Sequence, residues 1–229
     1  GVVSRSVRDT AYFLADLERQ RSVRDLEPVG LVEGPGSRRL RIGMITAPLT
    51  GHLLDADTNR ELMATAELLE SLGHRVETIP MPIDRPYIEQ FTLYWGMLAF
   101  SMDRFGHRLV GPGFDREKLD PFTRGLSRTW RRKFYKTPSV IRGLKKATGS
   151  FREVFDHFDL VLSPTLGHTT PEIGYLAPDG DFDEVFERLI RYVAFTPANN
   201  TAGAPAITLP LGRSANGLPL GMHFSADFG

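Results

Sequence analysis

The sequence predicts an α/β fold: a mixed, mostly parallel sheet sandwiched by helices and incomplete at both termini. Three observations carry that expectation. A short apolar strand at 40–46, an amphipathic stretch from Asp57 and a second strand at 75–79 follow at the spacing of one βαβ unit, which requires parallel strands. A further apolar run, Asp159-Leu160-Val161-Leu162-Ser163, is closed by Pro164 and reads as another buried strand. Two last strands, at 205–211 and 218–225, are joined by a turn holding Asn216-Gly217.

Each element has a local cause. Ser6 with Asp9 three residues on forms a capping box, and Val7, Ala11, Leu14, Ala15 and Leu17 then recur as one stripe that the spacing predicts to be buried. Residues 27–39 are rich in Pro, Gly and Ser and read as a surface loop. In the helix from Asp57, Leu62, Ala66, Leu69 and Leu72 face inward, and Gly73 ends it as a left-handed cap. Pro80 and Pro82 stop the second strand. Residues 86–106 predict an aromatic-rich helix carrying Tyr87, Phe91, Tyr94, Trp95 and Phe100. Residues 116–158 are mainly helical, interrupted near Pro121, Pro138 and Gly149, and a helix at 182–195 follows the loop 165–180. The end at Asp227-Phe228-Gly229, straight after a strand, reads as a cut.

Composition excludes several functions. The 229 residues, 41% apolar and 24% charged, suffice for a sizeable core. Net charge is +0, so no chain-wide field favours nucleic acid or an anionic membrane. Cysteine is absent, which removes disulfides, thiol nucleophiles and Cys-ligated zinc and fits a reducing compartment; the expected location is cytoplasmic. No apolar run approaches the about 18 residues of a membrane span, and the N-terminus has no signal-peptide core.

Short motifs of self-sufficient chemistry are missing. There is no nucleophile elbow, Walker loop, H-E-x-x-H or G-x-G-x-x-G. Asp227-Phe228-Gly229 matches the kinase tripeptide by coincidence, since no His-Arg-Asp loop precedes it. His168 and Glu172 flank Thr169-Thr170-Pro171, which is no helix, so a loop histidine is favoured over a metal ligand. Between 121 and 150 stand nine basic residues and no acid: Arg124, Arg128, Arg131, Arg132, Lys133, Lys136, Arg142, Lys145 and Lys146. A solvated face balanced by acids such as Asp179, Asp181, Asp183, Glu184 and Glu187 is favoured over an anion-binding surface.

Three blocks recur together: Ser4-Arg5-Ser6-Val7-Arg8-Asp9-Thr10-Ala11, Phe158-Asp159-Leu160-Val161-Leu162-Ser163-Pro164-Thr165, and the run from Phe195-Thr196-Pro197-Ala198-Asn199-Asn200-Thr201-Ala202-Gly203-Ala204-Pro205-Ala206 to Pro210, followed by Gly217-Leu218-Pro219-Leu220-Gly221. In order and approximate spacing they resemble the amidase signature family of serine amide hydrolases. The third block also has a physical reading of its own. Asn200 can fix a tight turn, Gly203 permits positive φ or a close approach, and Pro205 suits the first residue of a strand.

The resemblance implies a Ser–cis-Ser–Lys triad, an acyl-enzyme and an oxyanion hole in a Gly/Ser-rich loop. In the family these precede the Ser-Arg-Ser-Val block, and no such Gly/Ser-rich stretch occurs in these residues, so no catalytic residue is assigned. Residues 1–229 are accordingly expected to be the C-terminal portion of a single amidase domain, inactive alone. Tyr192, Phe195, Thr196, Thr165 and Trp95 are the expected substrate-binding residues, with Tyr94 beside them and with Asn200, Gly203 and Pro205 structural near the site. The expected partner is a small-molecule amide, with no cofactor, metal, nucleic acid or transmembrane segment, and a homodimer is left open. Two alternatives stand: a glutamine-dependent amidotransferase subunit, disfavoured because Val193 occupies the position where the family's glutamine users carry an acid, and a binding module using 121–150.

Overall fold

The computed structural model describes residues 1–21 and 26–228, so Gly229 of the terminal tripeptide lies outside the described residues. Contacts divide the chain into two units, residues 1–39 with the extreme C-terminus, and Leu40–Asp227.

The first unit holds one helix, α1 (Val7–Gln20). The Ser6 hydroxyl accepts from the Asp9 N–H at 3.1 Å, as the capping box predicts. The Glu18 carboxylate accepts from the N–H groups of Val29 (2.8 Å) and Gly30 (2.7 Å), which holds the following loop to the helix. The expected buried stripe is not there: Val7, Leu14 and Leu17 are exposed, and Ala15 alone on this helix is buried. The period was helical, but a stripe is buried only where a second apolar layer meets it, and this unit has one helix and no strand among the described residues.

The second unit is built on a five-stranded sheet in the order β2-β1-β3-β5-β4. Here β1 is Arg41–Ile45, β2 Arg75–Ile79, β3 Leu160–Pro164, β4 Ala206–Arg213 and β5 Pro219–Ser225. Strand β1 pairs parallel with β2 and with β3, as the βαβ spacing required. The β4–β5 hairpin pairs antiparallel, and β5 inserts beside β3, also antiparallel. Parallel and antiparallel pairings are thus equal in number. Pro210 lacks an N–H and sits within the register shift between Leu209 and Gly212, on the edge strand where a missing donor costs least.

Helix α2 (Ala56–Ser71) crosses between β1 and β2. Its cap is Asp55, two residues before the Asp57 that the sequence suggested. The Asp55 carboxylate accepts from Thr58 N–H (2.7 Å) and also from Thr169 N–H (2.8 Å), so it ties a distant loop to the helix start. Burial pushes this carboxyl up, but the bonds from Thr58 and Thr169 outweigh it and hold it below the usual range. Gly73, at φ +89°, ends the helix with His74 N–H donating to Leu69 O and Gly73 N–H to Glu70 O, a Schellman arrangement. Leu62 and Ala66 pack on Ile42, Met44, Leu162 and Met222 of the sheet, whereas Leu72 is exposed at the helix end.

The remaining helices form a second layer: α3 (Tyr87–Val110), α4 (Pro121–Lys133), α5 (Thr137–Glu153), α6 (Phe182–Tyr192) and α7 (Pro197–Ala202). Pro121 and Pro138 mark helix starts, as their fixed φ favours, but Gly149 lies within α5 and interrupts nothing. Helix α6 stops at Tyr192, short of the expected 195, and α7 replaces what reads in sequence as a turn. Asn and Thr are weak helix formers, so tertiary contacts rather than propensity make that helix.

Helix α7 ends at Gly203, whose φ of +70° is left-handed. Gly203→Val should therefore destabilise the unit by about 1–2 kcal/mol, the cost of forcing a side-chain-bearing residue into that region. Thermal melting checks this: a lowered midpoint is expected, and an unchanged one removes the reason for the glycine.

Candidate functional site

Two adjoining chambers open where helices α3, α5, α6 and α7 converge. The inner one takes Leu49 from the segment after β1, and Met81 and Ile83 from the segment after β2, against Phe91 and Trp95 of α3 and Phe195 and Ala198. It thus lies beyond the carboxyl ends of two parallel strands, where open α/β sheets place ligands. No charged side chain lines it. Thr50 lines it too, and its hydroxyl oxygen is buried without a hydrogen-bond partner. An unsatisfied buried hydroxyl costs about 1–3 kcal/mol, which a bound polar atom would recover.

The outer chamber is lined by Tyr94, Trp95 and Leu98 of α3, by Ile141, Lys145 and Thr148 of α5, and by Thr196, Asn200 and Thr201. Phe91, Trp95, Leu189, Val193 and Pro197 border both chambers. Lys145 is the one charged residue in the outer lining.

The wall between α6 and α7 is fixed by what its residues bury. After Tyr192 the chain leaves the helix at Val193, and Phe195 enters the core against Ile45 and Val161. The Tyr87 hydroxyl then meets the Pro197 carbonyl (2.7 Å) and the Thr201 hydroxyl (2.8 Å). Burial pushes the Tyr87 phenol up to about 12, so it stays a donor. From the other side, Asn199 Nδ2 donates to Ser225 Oγ (2.8 Å), which lies 3.4 Å from His223 Nδ1 on β5.

The expected site residues are only partly brought together. Trp95 and Phe195 line the inner chamber; Trp95, Thr196 and Asn200 line the outer one. Tyr192 lies outside both and packs its ring 4.9 Å from that of His168. Thr165 also lies outside, bonding Thr208 Oγ1 at 3.2 Å. Gly203 ends α7, and the Pro205 carbonyl accepts from Ala226 N–H (3.1 Å). The turn-fixing bond expected of Asn200 does not occur among the described residues: Asn200 is exposed toward the chamber, and its buried neighbour Asn199 instead bonds Ser225 on β5. Phe91, Leu189, Pro197 and Lys145 were not nominated; their only sequence signals were the aromatic stripe of α3, the apolar face of α6, the third block and the basic run.

The basic run is dispersed by the fold. Lys133 and Lys136 both reach Glu89 (3.0 and 2.9 Å), Lys146 reaches Asp84 (2.7 Å), and Arg124 bonds the Arg116 and Glu117 carbonyls. The acids that pair directly with the run are Glu89 and Asp84, and none of 179–187 does so among the described residues. His168 Nδ1 meets the Thr169 carbonyl (2.7 Å), and no cluster of three potential metal ligands occurs among the described residues. Nor is any helix among them long and apolar enough to cross a membrane.

A helical-layer cavity off the carboxyl ends of a mixed sheet, with apolar walls and few polar groups, has the character of small-molecule sites in general. Comparison identifies the class: the Amidase family model matches residues 1–229, and the chain belongs to that family. It is 45% identical over 231 residues to a putative amidase, AmiC, of Mycobacterium leprae, covering 100% of this chain and 49% of that protein. It is 29% identical over 252 residues to a 6-aminohexanoate-cyclic-dimer hydrolase of a Pseudomonas species, covering 100% of this chain and 50% of that one. A solved 6-aminohexanoate cyclic dimer hydrolase bound to substrate shares the fold, with TM-score 0.73 and 24% identity over 99% of this chain and 50% of the other. The chain spans about half the length of these relatives.

His223 supplies a pH prediction. It is buried, and desolvation holds its pKa below the ordinary 6.5. The unfolded chain therefore binds the proton that the folded chain refuses, so stability is lost as pH falls below about 6.5. In urea melts between pH 7.5 and 5, His223→Gln should show a shallower acid slope than the parent; equal slopes would assign the acid loss to other groups.

Proposed function

We propose that this chain is the pocket-bearing part of an amide hydrolase that cleaves a carboxamide to acid plus ammonia or amine through a serine acyl-enzyme. The nucleophilic serine, its bridging serine and the lysine base would come from outside these residues. The observation that carries the reading is the inner chamber: uncharged, bounded by Trp95, Phe91 and Phe195, with one buried, unpartnered hydroxyl at Thr50. Family membership and the named hydrolases support the reaction class.

In this reading the chain's residues bind and orient. Phe91, Trp95, Leu189 and Val193 would hold the apolar body of the amide and displace water from it. At about 25 cal/mol per Å² of apolar surface, binding energy is gained there without any charge. Thr50 would offer one hydrogen bond to fix orientation. Tyr192, Thr165 and the Gly203–Pro205 junction would support the walls rather than touch substrate. The 1–229 chain would be one portion of a single amidase domain.

The protein that carries this chain should hydrolyse a simple aryl amide and be labelled at serine by a fluorophosphonate with loss of activity. An active but unlabelled protein would overturn the serine mechanism. Residues 1–229 alone should show no amide hydrolysis above buffer, because loss of nucleophile, base and oxyanion donors removes several powers of ten in rate. Turnover by the isolated chain would place catalysis within it.

A further inference from the structure

We infer that the outer chamber is a carboxylate subsite, and that the preferred substrate is an apolar amide carrying an anionic carboxylate remote from the bond that is cut. The inference rests on the hydrolase reading above and goes past it to substrate class. Its ground is a set of donors without intramolecular use.

Lys145, Thr196 and Asn200 line one chamber, come from two elements and the junction before one of them, and make no side-chain hydrogen bond or ion pair among the described residues. Their neighbours differ. Thr148 Oγ1 is committed to the Leu144 and Thr201 carbonyls (3.1 and 3.2 Å), and Thr201 Oγ1 to Tyr87 and the Pro197 carbonyl. Of the other lysines of the run, Lys133 and Lys136 pair with Glu89 and Lys146 with Asp84. Lys145 instead faces a lining that contains no acid at all.

An ammonium, an amide and a hydroxyl together can give several hydrogen bonds to a group that only accepts, and a carboxylate is such a group. The shared wall of Phe91, Trp95, Leu189, Val193 and Pro197 joins this subsite to the uncharged inner chamber. A ligand with an apolar middle and a carboxylate end matches the two in sequence. A ligand ending in an ammonium would meet Lys145 with like charge and no acid to offset it.

The test uses the intact protein and two chromogenic amides of equal shape, adipic acid mono-p-nitroanilide and its methyl ester. The acid should have the higher kcat/KM by about fivefold, the range expected for a partly exposed charge-assisted contact. The preference should shrink as ionic strength rises. Lys145→Met should bring the ratio near one, and Lys118→Met, a surface lysine away from the chambers, should keep it. Equal kcat/KM for acid and ester in the parent, or a ratio that survives Lys145→Met, overturns the subsite. If neither amide turns over, the hydrolase reading fails on its own, and calorimetric titration with adipic acid monoanilide against its methyl ester decides the subsite. Tighter binding of the acid that is lost in Lys145→Met sustains it; equal binding or no binding overturns it.

Discussion

The cavity depends on one constraint, the turn that takes the chain from α6 into α7. Phe195 is buried to 3% exposure between the ends of β1 and β3, and that single insertion stops α6 from continuing. Pro197 then starts α7, and the buried Tyr87 hydroxyl clamps its carbonyl from α3. Because Leu189, Val193 and Pro197 belong to both chambers, the positions of both walls follow from this joint. Asn199 fastens the same short helix to Ser225 on β5. A helix of six residues has little stability of its own, so these buried bonds hold it in place.

Charge is organised around the same cavity by being spent elsewhere. Asp103 on α3 is buried, and the Arg116 guanidinium at 2.6 Å, then the Ser127 hydroxyl at 3.0 Å, hold its carboxyl below the usual range. Those bonds brace α3 against α4 and the 3₁₀ turn at Arg116–Lys118. Glu89 does the same with Lys133 and Lys136. With carboxylates committed outside, the inner chamber stays uncharged and the outer one keeps a single cation.

What could be read from sequence followed the range of the forces involved. The βαβ unit was legible because strand, helix and strand each carry their own period and their stops, Gly73 and Pro80, are local. The hairpin was legible from Asn216-Gly217. Helix α7 was not, since Asn199, Asn200 and Thr201 disfavour helix locally and distant partners hold it: Tyr87, 110 residues from Pro197, Ser225, 26 from Asn199, and Thr148, 53 from Thr201. The α1 stripe failed for the converse reason: its period was correct, but burial depends on a partner layer that no local pattern encodes. Phe195 and Thr196 were nominated through the family resemblance and Trp95 from the aromatic helix at 86–106, whereas Lys145 was hidden among eight other basic residues of the 121–150 run. Its distinction from Lys146 is one step around a helix, which sends one side chain to Asp84 and the other to the chamber.

That same distinction separates the two amide chemistries open to the family. A site that takes glutamine has to meet an α-ammonium as well as an amide, and a buried ammonium needs a carboxylate beside it. Position 193, where the resemblance places that acid, holds a valine that borders both chambers. No other lining residue can replace it, because neither chamber includes an Asp or Glu. Lys145 adds a positive charge to the outer chamber, which would not favour an ammonium there. Under the proposed function, the missing acid and the present lysine would both disfavour an amino-acid amide and favour an amide whose only charge, if any, is negative.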